Sequence, residues 1–337
     1  MTAPIPLDKN ESSVSGPSRA MVVSLMLSII VPAWLTLRTV TKAPPIDVAT
    51  NPTPYGYTWS LLLFIAPLLV IAFWHYRHRE HHFHIRSLAW AAAVIAIAGF
   101  VLDIVLGASF LTFENVGATT GVRLPAVDIA HFAIIRGYLP IEEFGFYVLG
   151  GLFVVALYSW IDADWIHKHS KADFAARARA QTHLVQLNFM AAGILIAVWV
   201  AGVIYKSTHD GHFGIPGYFT FLTFVPLLPA CLLLECVSEF INWTAFAFTC
   251  VTLLLISMLW EATLAIPYHW WGYQTPRMLG ITVTAWWGLP IEAVIVWIAV
   301  TFDAIIAFEV LHVFFHMDRP ARAVFFPKSR AAARATK

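Results

Sequence analysis

Five carboxylates in long apolar stretches are the residues of this sequence best suited to carry chemistry. Glu142 and Glu143 follow a proline in YLPIEEFGF, and Glu292 follows one in GLPIEAVIV. Asp103 and Glu261 lie within two other apolar stretches. Carboxylates in such surroundings are costly, usually face the protein interior and commonly mark function. A buried carboxyl can donate a proton and a second carboxylate can remove one, so the set predicts acid–base catalysis at an apolar site.

The two LPIE motifs also have a purely structural interpretation. Proline is favoured at the first position of a helix, and an acid in the first turn complements the helix dipole. The recurrence of the motif, each time with a further acid in the preceding apolar segment, favours a functional role. Because consecutive helical residues point about 100° apart, only one of Glu142 and Glu143 can face a given cavity. Glu142 is the first choice because Glu292 matches it, whereas Glu143 corresponds to Ala293.

Helix geometry brings the five acids to one level. A helix rises about 1.5 Å per residue, and Asp103 and Glu261 lie near the ends of their segments, shortly before the LPIE motifs begin the next ones. Two more acids, Asp303 and Glu235, lie deeper in apolar segments. A polar partner inside the helix bundle would explain those two as well as chemistry would.

Aromatic residues are concentrated around the same level. Tryptophan and tyrosine at a membrane interface commonly form no more than an anchoring belt. The alternative is a cage whose ring faces stabilise a cation during a reaction. The candidates for lining such a cage are Phe113, Tyr138, Trp270, Trp271, Tyr273 and Trp287, with Trp260, Tyr268 and Trp286 nearby.

The composition indicates a membrane environment for these residues. Of the 337 residues, 59% are hydrophobic and 12% are charged, whereas soluble domains carry about 25% charged residues. Apolar runs of this length with almost no charge predict transmembrane helices. Eight occur, at about 21–38, 57–75, 87–111, 139–161, 183–205, 217–239, 242–267 and 289–315. We therefore predict an all-α polytopic membrane protein. The net charge of +1 offers no electrostatic basis for binding nucleic acid.

The chain is predicted to be an internal duplication. PYGYTWSLLLFIAPLL at 54–69 resembles IPGYFTFLTFVPLLP at 215–229, and each is followed by a helix acid and an LPIE motif. We predict two parallel repeats of four helices each, because an even number of helices inserts both copies the same way up. The predicted organisation is a disordered tail at 1–20, membrane repeats at 21–161 and 183–316, and a basic tail at 317–337.

Lysine and arginine in the connecting segments predict the orientation. They are concentrated in the two tails and in the segments following the second and fourth predicted helices. Positively charged loops stay on the cytoplasmic side. Both termini are therefore predicted to be cytoplasmic, in the inner or plasma membrane of the cell.

The helix acids, the aromatic loops and the motifs LPIEEFGFYV and LPIEAVIVWI resemble the non-flavin, integral-membrane lycopene cyclases. The resemblance covers roughly 55–161 and 215–316, each of which is similar to one small module of that family. It implies a lipophilic substrate, the end group of an acyclic carotenoid or related isoprenoid. The family's reaction would protonate an alkene, close a ring through a carbocation and remove a proton, with no cofactor and no net redox change.

Two other classes of function remain open from the sequence. His78, His81 and His82 have H-x-x-H-H spacing, and His312 and His316 lie four residues apart, so they could bind iron as in a membrane hydroxylase or desaturase. A loop in which His and Arg alternate is more often a solvated basic segment that contacts lipid. Acids within a repeated helix bundle also suit a proton-coupled transporter.

Overall fold

The protein is described by a computed structural model over residues 46–77, 85–128, 133–166, 171–181, 187–211 and 213–317, plus isolated residues. In these ranges seven helices are long and apolar enough to cross a membrane. They are α1 (Gly56–Arg77), α2 (Ile85–Phe110), α3 (Ile141–Trp165), α5 (Phe189–Asp210), α6 (Gly217–Val237), α7 (Trp243–Ala265) and α8 (Ile291–His316), with the shorter α4 (Lys171–Ala180) between them. The all-α polytopic architecture is confirmed. The first predicted span, 21–38, and both tails lie almost wholly outside the described residues.

Two prolines fix where α3 and α8 begin. Pro140 and Pro290 stand at the N-cap, with φ and ψ of −64° and 146° and of −66° and 146°. This is one position earlier than the first helical residue at which a proline was expected. The restricted φ of proline holds the chain extended up to the helix, so the glutamate two residues later has a defined direction. We refer to the end of the bundle where these prolines lie as the acid end.

Helices α1 to α3 and helices α6 to α8 follow the same plan. The first helix of each set runs away from the acid end, the second returns to it, and the third runs away again. The second helix of each set contains a π-helical turn that begins with an acid, at Asp103–Gly107 and Glu261–Ala265. Gly121 and Gly280 take left-handed φ values of 80° and 94° ahead of the LPIE motifs. This correspondence supports the predicted duplication. In the second half α5 is the additional helix; its counterpart in the first would fall outside the described residues.

Short antiparallel strands cover the acid end. They are β1 (Leu111–Thr112), β2 (Arg123–Asp128), β3 (Ala133–Pro140), β4 (Gly272–Tyr273), β5 (Thr282–Val283) and β6 (Leu289–Pro290). β2 pairs with β3 and β5 pairs with β6, each hairpin leading into an LPIE helix, while β1 and β4 join the two halves. Backbone bonds from Asn115 N to His269 O (3.0 Å) and from Gln274 N to Phe110 O (2.9 Å) add to this connection. The loops of the two halves therefore form one cap.

The main hydrophobic core lies directly below this cap and is rich in aromatic rings. Phe64 stacks on Trp297 at 5.9 Å and meets Trp260 edge-on at 5.4 Å, and Trp260 in turn meets Trp271 at 4.6 Å. These contacts join α1, α7 and α8 around one point. The core thus holds the two halves together where the candidate acids lie.

Candidate active site

Glu142 and Glu292 hold the turns ahead of their own helices. One oxygen of Glu142 accepts hydrogen bonds from Thr120 N at 2.6 Å and from Thr58 Oγ1 at 2.7 Å. At the matching place, Glu292 Oε1 accepts from Leu279 N, and the Glu292 side chain is fully buried. The bonded amides immediately precede the left-handed glycines of the two halves. These glutamates therefore fix the loop against the helix, and neither lines the cavity described below.

Glu143, in contrast, turns towards helix α1 and lines the cavity described below. Its Oε2 accepts a hydrogen bond of 2.6 Å from the Tyr57 hydroxyl, and the residue is 6% exposed. The 100° rotation between consecutive helical residues separates it from Glu142. The sequence ranked Glu142 above Glu143 because only Glu142 recurs; the structure puts Glu143 at the cavity instead.

Glu261 is the second acid that faces the interior at this level. Its two oxygens accept hydrogen bonds from the Tyr273 hydroxyl at 2.6 Å and from Trp297 Nε1 at 2.9 Å. The pKa of Tyr273 is raised well above its ordinary value of 10.0 by burial and by the adjacent Glu261 carboxylate. Tyr273 is therefore a neutral hydroxyl that donates to Glu261 at any physiological pH.

Asp103 lies behind Glu143 and away from the cavity. It is 2% exposed, and no hydrogen bond reaches either of its oxygens from the part of the chain that is described. Gly107 leaves the room for it, because a Cβ there would clash with Asp103 Oδ1. Asp103, like Glu142 and Glu292, therefore does not line the cavity described below.

A cavity of about 190 Å³ joins Glu143 and Glu261. It lies between α2, α3, α6 and α8, with Tyr57 of α1 and the end of α7 at its acid end. Its lining is mostly apolar, and Asp303 of α8 is a third acid on its wall. A mostly apolar cavity with a few converging polar groups is the usual form of a small-molecule site.

Aromatic side chains form much of the wall around the two glutamates. Trp271 and Tyr273 line the cavity, as the sequence suggested. The other four proposed residues lie outside the lining. Trp270 is buried and donates to Thr53 Oγ1 at 2.8 Å, Tyr138 is 60% exposed, and Phe113 and Trp287 are partly buried elsewhere in the cap. Their positions in loops were not enough to indicate which way each ring points.

Several lining residues were not identified as site residues from the sequence. They are Tyr57, Phe146, Tyr147 and Trp297, together with Tyr218 of α6. The LPIE helices could have revealed two of them, because Tyr147 and Trp297 occupy the same place in the two motifs, five residues after Glu142 and Glu292. Tyr57 and Tyr218 likewise correspond in the matched segments that begin the two halves.

The histidines of the alternative iron site do not come together in the described residues. His312 packs on Phe174 at 4.1 Å, with its Nδ1 3.5 Å from Glu309 Oε2, and His316 Nδ1 bonds to the His312 carbonyl at 2.8 Å. No group of three or more metal-binding side chains occurs in the described ranges. His78, His81 and His82 lie outside those ranges, and His312 and His316 lie at the end of the bundle opposite the candidate acids.

Comparison with known proteins adds no relative. No protein-family model matches this chain, and neither a curated protein nor a solved structure matches it. The resemblance to the lycopene cyclases therefore depends on the short motifs alone. Functional inference for this chain has to come from the geometry of the cavity.

The capping role of Glu292 predicts different effects for two substitutions. Glu292→Ala leaves the buried Leu279 amide without its acceptor, which costs about 1–3 kcal/mol, so a clear fall in the thermal unfolding temperature is expected. Glu292→Gln keeps an acceptor oxygen and should retain most of that stability and nearly normal turnover. Thermal unfolding of both variants in detergent, followed by tryptophan fluorescence, tests this. A stable Glu292→Gln protein without turnover would make Glu292 a catalytic acid.

Proposed function

We propose that this protein is an integral-membrane isoprenoid cyclase that works by proton transfer. A carboxyl O–H of the Glu143–Glu261 pair adds its proton to one carbon of a terminal alkene. The resulting carbocation is attacked by the π electrons of a second alkene, which forms the carbon–carbon bond of a ring. Loss of a proton to a carboxylate of the pair restores an alkene. One proton enters and one leaves, so substrate and product are isomers.

The observation that carries this proposal is the pair of glutamates on one aromatic cavity. Proton transfer from a positioned side chain typically contributes roughly 10²–10⁴-fold to a rate. A carbocation also needs negative electrostatic potential and exclusion of water. Trp260, Trp271 and Trp297 line the cavity, and we propose that their π systems supply the first, since an aromatic ring attracts a cation. The cap over the acid end supplies the second.

The proposed substrate is a lipophilic acyclic isoprenoid, such as the end group of a carotenoid, taken from the bilayer. The mostly apolar lining suits a hydrocarbon, and the seven apolar helices indicate that the protein resides in lipid. The chemistry needs no cofactor. We further propose residence in the inner or plasma membrane, with the acid end facing away from the cytoplasm.

Pigment analysis of carotenoid-producing cells that express the protein tests the function. We expect the cells to convert acyclic into cyclic end groups. We also expect a metal chelator to leave this conversion unaffected in a membrane preparation from the cells. Loss of hydrogen or gain of a hydroxyl that the chelator prevents would favour the iron enzyme instead. Cells that produce only acyclic pigment would contradict a carotenoid end group as the substrate.

The proposed orientation predicts opposite labelling of two exposed positions. Val122 lies in the cap and Arg177 in α4, on opposite sides of the bundle. In a protein lacking its native cysteines, Val122→Cys should react with a membrane-impermeant maleimide in intact cells. Arg177→Cys should react only after the cells are opened. Labelling of both positions from one side would contradict the arrangement, and labelling of Arg177→Cys alone in intact cells would invert it.

A further inference from the structure

Asp303 is an acid on the cavity wall that the proposed reaction does not use. It lies halfway along the 26-residue helix α8, and its half-buried side chain lines the cavity. In the described part of the chain no group donates a hydrogen bond to it and no cation pairs with it. An ionisable side chain at the middle of a membrane-spanning helix is costly and usually has a functional partner. We therefore expect the partner of Asp303 to be a ligand inside the cavity.

The surroundings of Asp303 are otherwise apolar. Gly150 and Gly151 on α3 lie at nearly the same depth, because α3 and α8 begin at matching prolines and run in the same direction. Ile95 of α2 closes against Gly151, where an added Cβ would lie 2.5 Å from Ile95 Cγ2. Val300 lines the wall one turn before Asp303. The carboxyl is thus a single polar point in the deep part of the cavity, away from the glutamates.

The distance between Asp303 and the glutamate pair can be estimated from helix geometry. Glu143 corresponds in depth to Ala293 of α8, ten residues before Asp303, and Trp297, which bonds Glu261, lies six residues before it. At 1.5 Å per residue, Asp303 lies roughly 9–15 Å below the pair. A ligand that contacts both the glutamate pair and Asp303 must therefore have its reacting alkene and its polar group about that far apart.

Asp303 also distinguishes the two halves of the molecule. The position that matches it on α3 is Phe153, a buried core residue. The cavity is therefore asymmetric in its chemistry although the helices around it are repeated. A ligand with two different ends, one hydrocarbon and one polar, suits such a cavity better than a symmetric hydrocarbon does.

We propose that Asp303 is a specificity residue that hydrogen-bonds a hydroxyl group on the ligand, so that the cavity selects an isoprenoid alcohol over the corresponding hydrocarbon. A hydroxyl can donate to a carboxylate and can also accept from a carboxyl O–H, so it satisfies Asp303 in either protonation state. The inference rests on the proposed function for the isoprenoid nature of the ligand. The recognition of the hydroxyl rests on Asp303 and the cavity alone.

Equilibrium dialysis with two labelled ligands tests this inference without any turnover. Farnesol and the hydrocarbon of the same skeleton, in which hydrogen replaces the hydroxyl, are dialysed against the full-length protein in nanodiscs. Empty nanodiscs correct for partition into lipid. The wild-type protein should bind the alcohol roughly tenfold more tightly than the hydrocarbon, as one hydrogen bond to a carboxyl group allows.

Two substitutions of Asp303 and one control complete the test. Asp303→Leu should abolish the preference for the alcohol, and Asp303→Asn should reduce it while keeping the shape of the side chain. Glu235→Gln changes an exposed acid of α6 that does not line the cavity, and it should keep the full preference. Equal binding of the two ligands by wild-type protein, or an unchanged preference in Asp303→Leu, would overturn the inference.

This result is separable from the fate of the proposed function. If the wild-type preference is present and depends on Asp303, the cavity recognises an alcohol even if substitution of Glu143 and Glu261 leaves turnover unchanged. If those glutamates prove essential but the preference is absent, the cyclase proposal stands and Asp303 is satisfied by water rather than by a ligand.

Discussion

Replacement of Glu143 by glutamine is expected to lower turnover by roughly 10²–10⁴-fold, the range for loss of a general acid or base. The amide keeps the shape of the side chain and can still accept a hydrogen bond from Tyr57, so the protein should stay folded. It cannot exchange a proton with an alkene. Product formation by purified protein in lipid, with thermal unfolding measured alongside, checks both parts of the expectation.

The neighbouring Glu142 is the matched control for this prediction. Glu142→Gln changes the adjacent residue in the same way, but its side chain binds Thr120 N and Thr58 and not the cavity. Turnover within a few-fold of wild type is expected for it. Loss of turnover in Glu142→Gln with normal rates in Glu143→Gln would reverse the roles that the geometry indicates, and restore the ranking suggested by the sequence.

Glu261→Gln is the second substitution expected to lower turnover by roughly 10²–10⁴-fold, since Glu261 is the other carboxyl group of the pair that we propose exchanges protons with the substrate. Removing one of its hydrogen-bond donors should have a smaller effect. Tyr273→Phe deletes only one bond to Glu261, worth roughly tenfold. Initial rates of the two variants, measured at saturating substrate, distinguish loss of the reacting group from loss of its support.

The two glutamates should also fail to act independently. If one cycle uses both, the Glu143→Gln, Glu261→Gln double variant should be no slower than about the slower single variant, because groups that act as a unit are strongly non-additive. Multiplying effects in the double variant would mean that the two glutamates contribute independently to one rate-limiting step, which would contradict their action as donor and acceptor in turn. Wild-type rates in either single variant would remove that glutamate from the mechanism.

The helical architecture was predictable because it depends on composition and on long-range repetition. Apolar runs identify membrane helices whatever their neighbours are, since the bilayer requires each span to satisfy its own backbone hydrogen bonds. The predicted duplication rests on the two LPIE motifs and the matched segments at 54–69 and 215–229. Proline fixes the start of α3 and α8 in both halves, so the level of the acids followed from counting residues.

The roles of the two adjacent glutamates could not be read from the same motifs. Glu142 recurs as Glu292 because both halves need the same turn held against the same helix, a structural requirement that repeats with the fold. Glu143 faces α1 and the cavity, where the two halves differ. For these two adjacent residues, the glutamate with a counterpart in the second half caps the loop, and the one without a counterpart lies at the cavity.

The aromatic wall was predicted only in part because ring direction depends on packing across helices. Trp271 faces the cavity while its neighbour Trp270 packs over Gly56, where a Cβ would lie 2.5 Å from the indole ring. The sequence contains both residues in one loop and no signal that separates them. Tyr57 reaches Glu143 from another helix, 86 positions away in the chain.

Solvent deuterium in the product tests the central claim most directly. If a proton from the glutamate pair starts the reaction and a substrate proton ends it, protein equilibrated in D₂O should give a cyclic product with one deuterium in each new ring. The oxidation level of the product should equal that of the substrate, and Glu143→Gln should not form it at a significant rate. A cyclic product without deuterium, or a product that has lost hydrogen, would contradict cyclisation by proton transfer at this cavity.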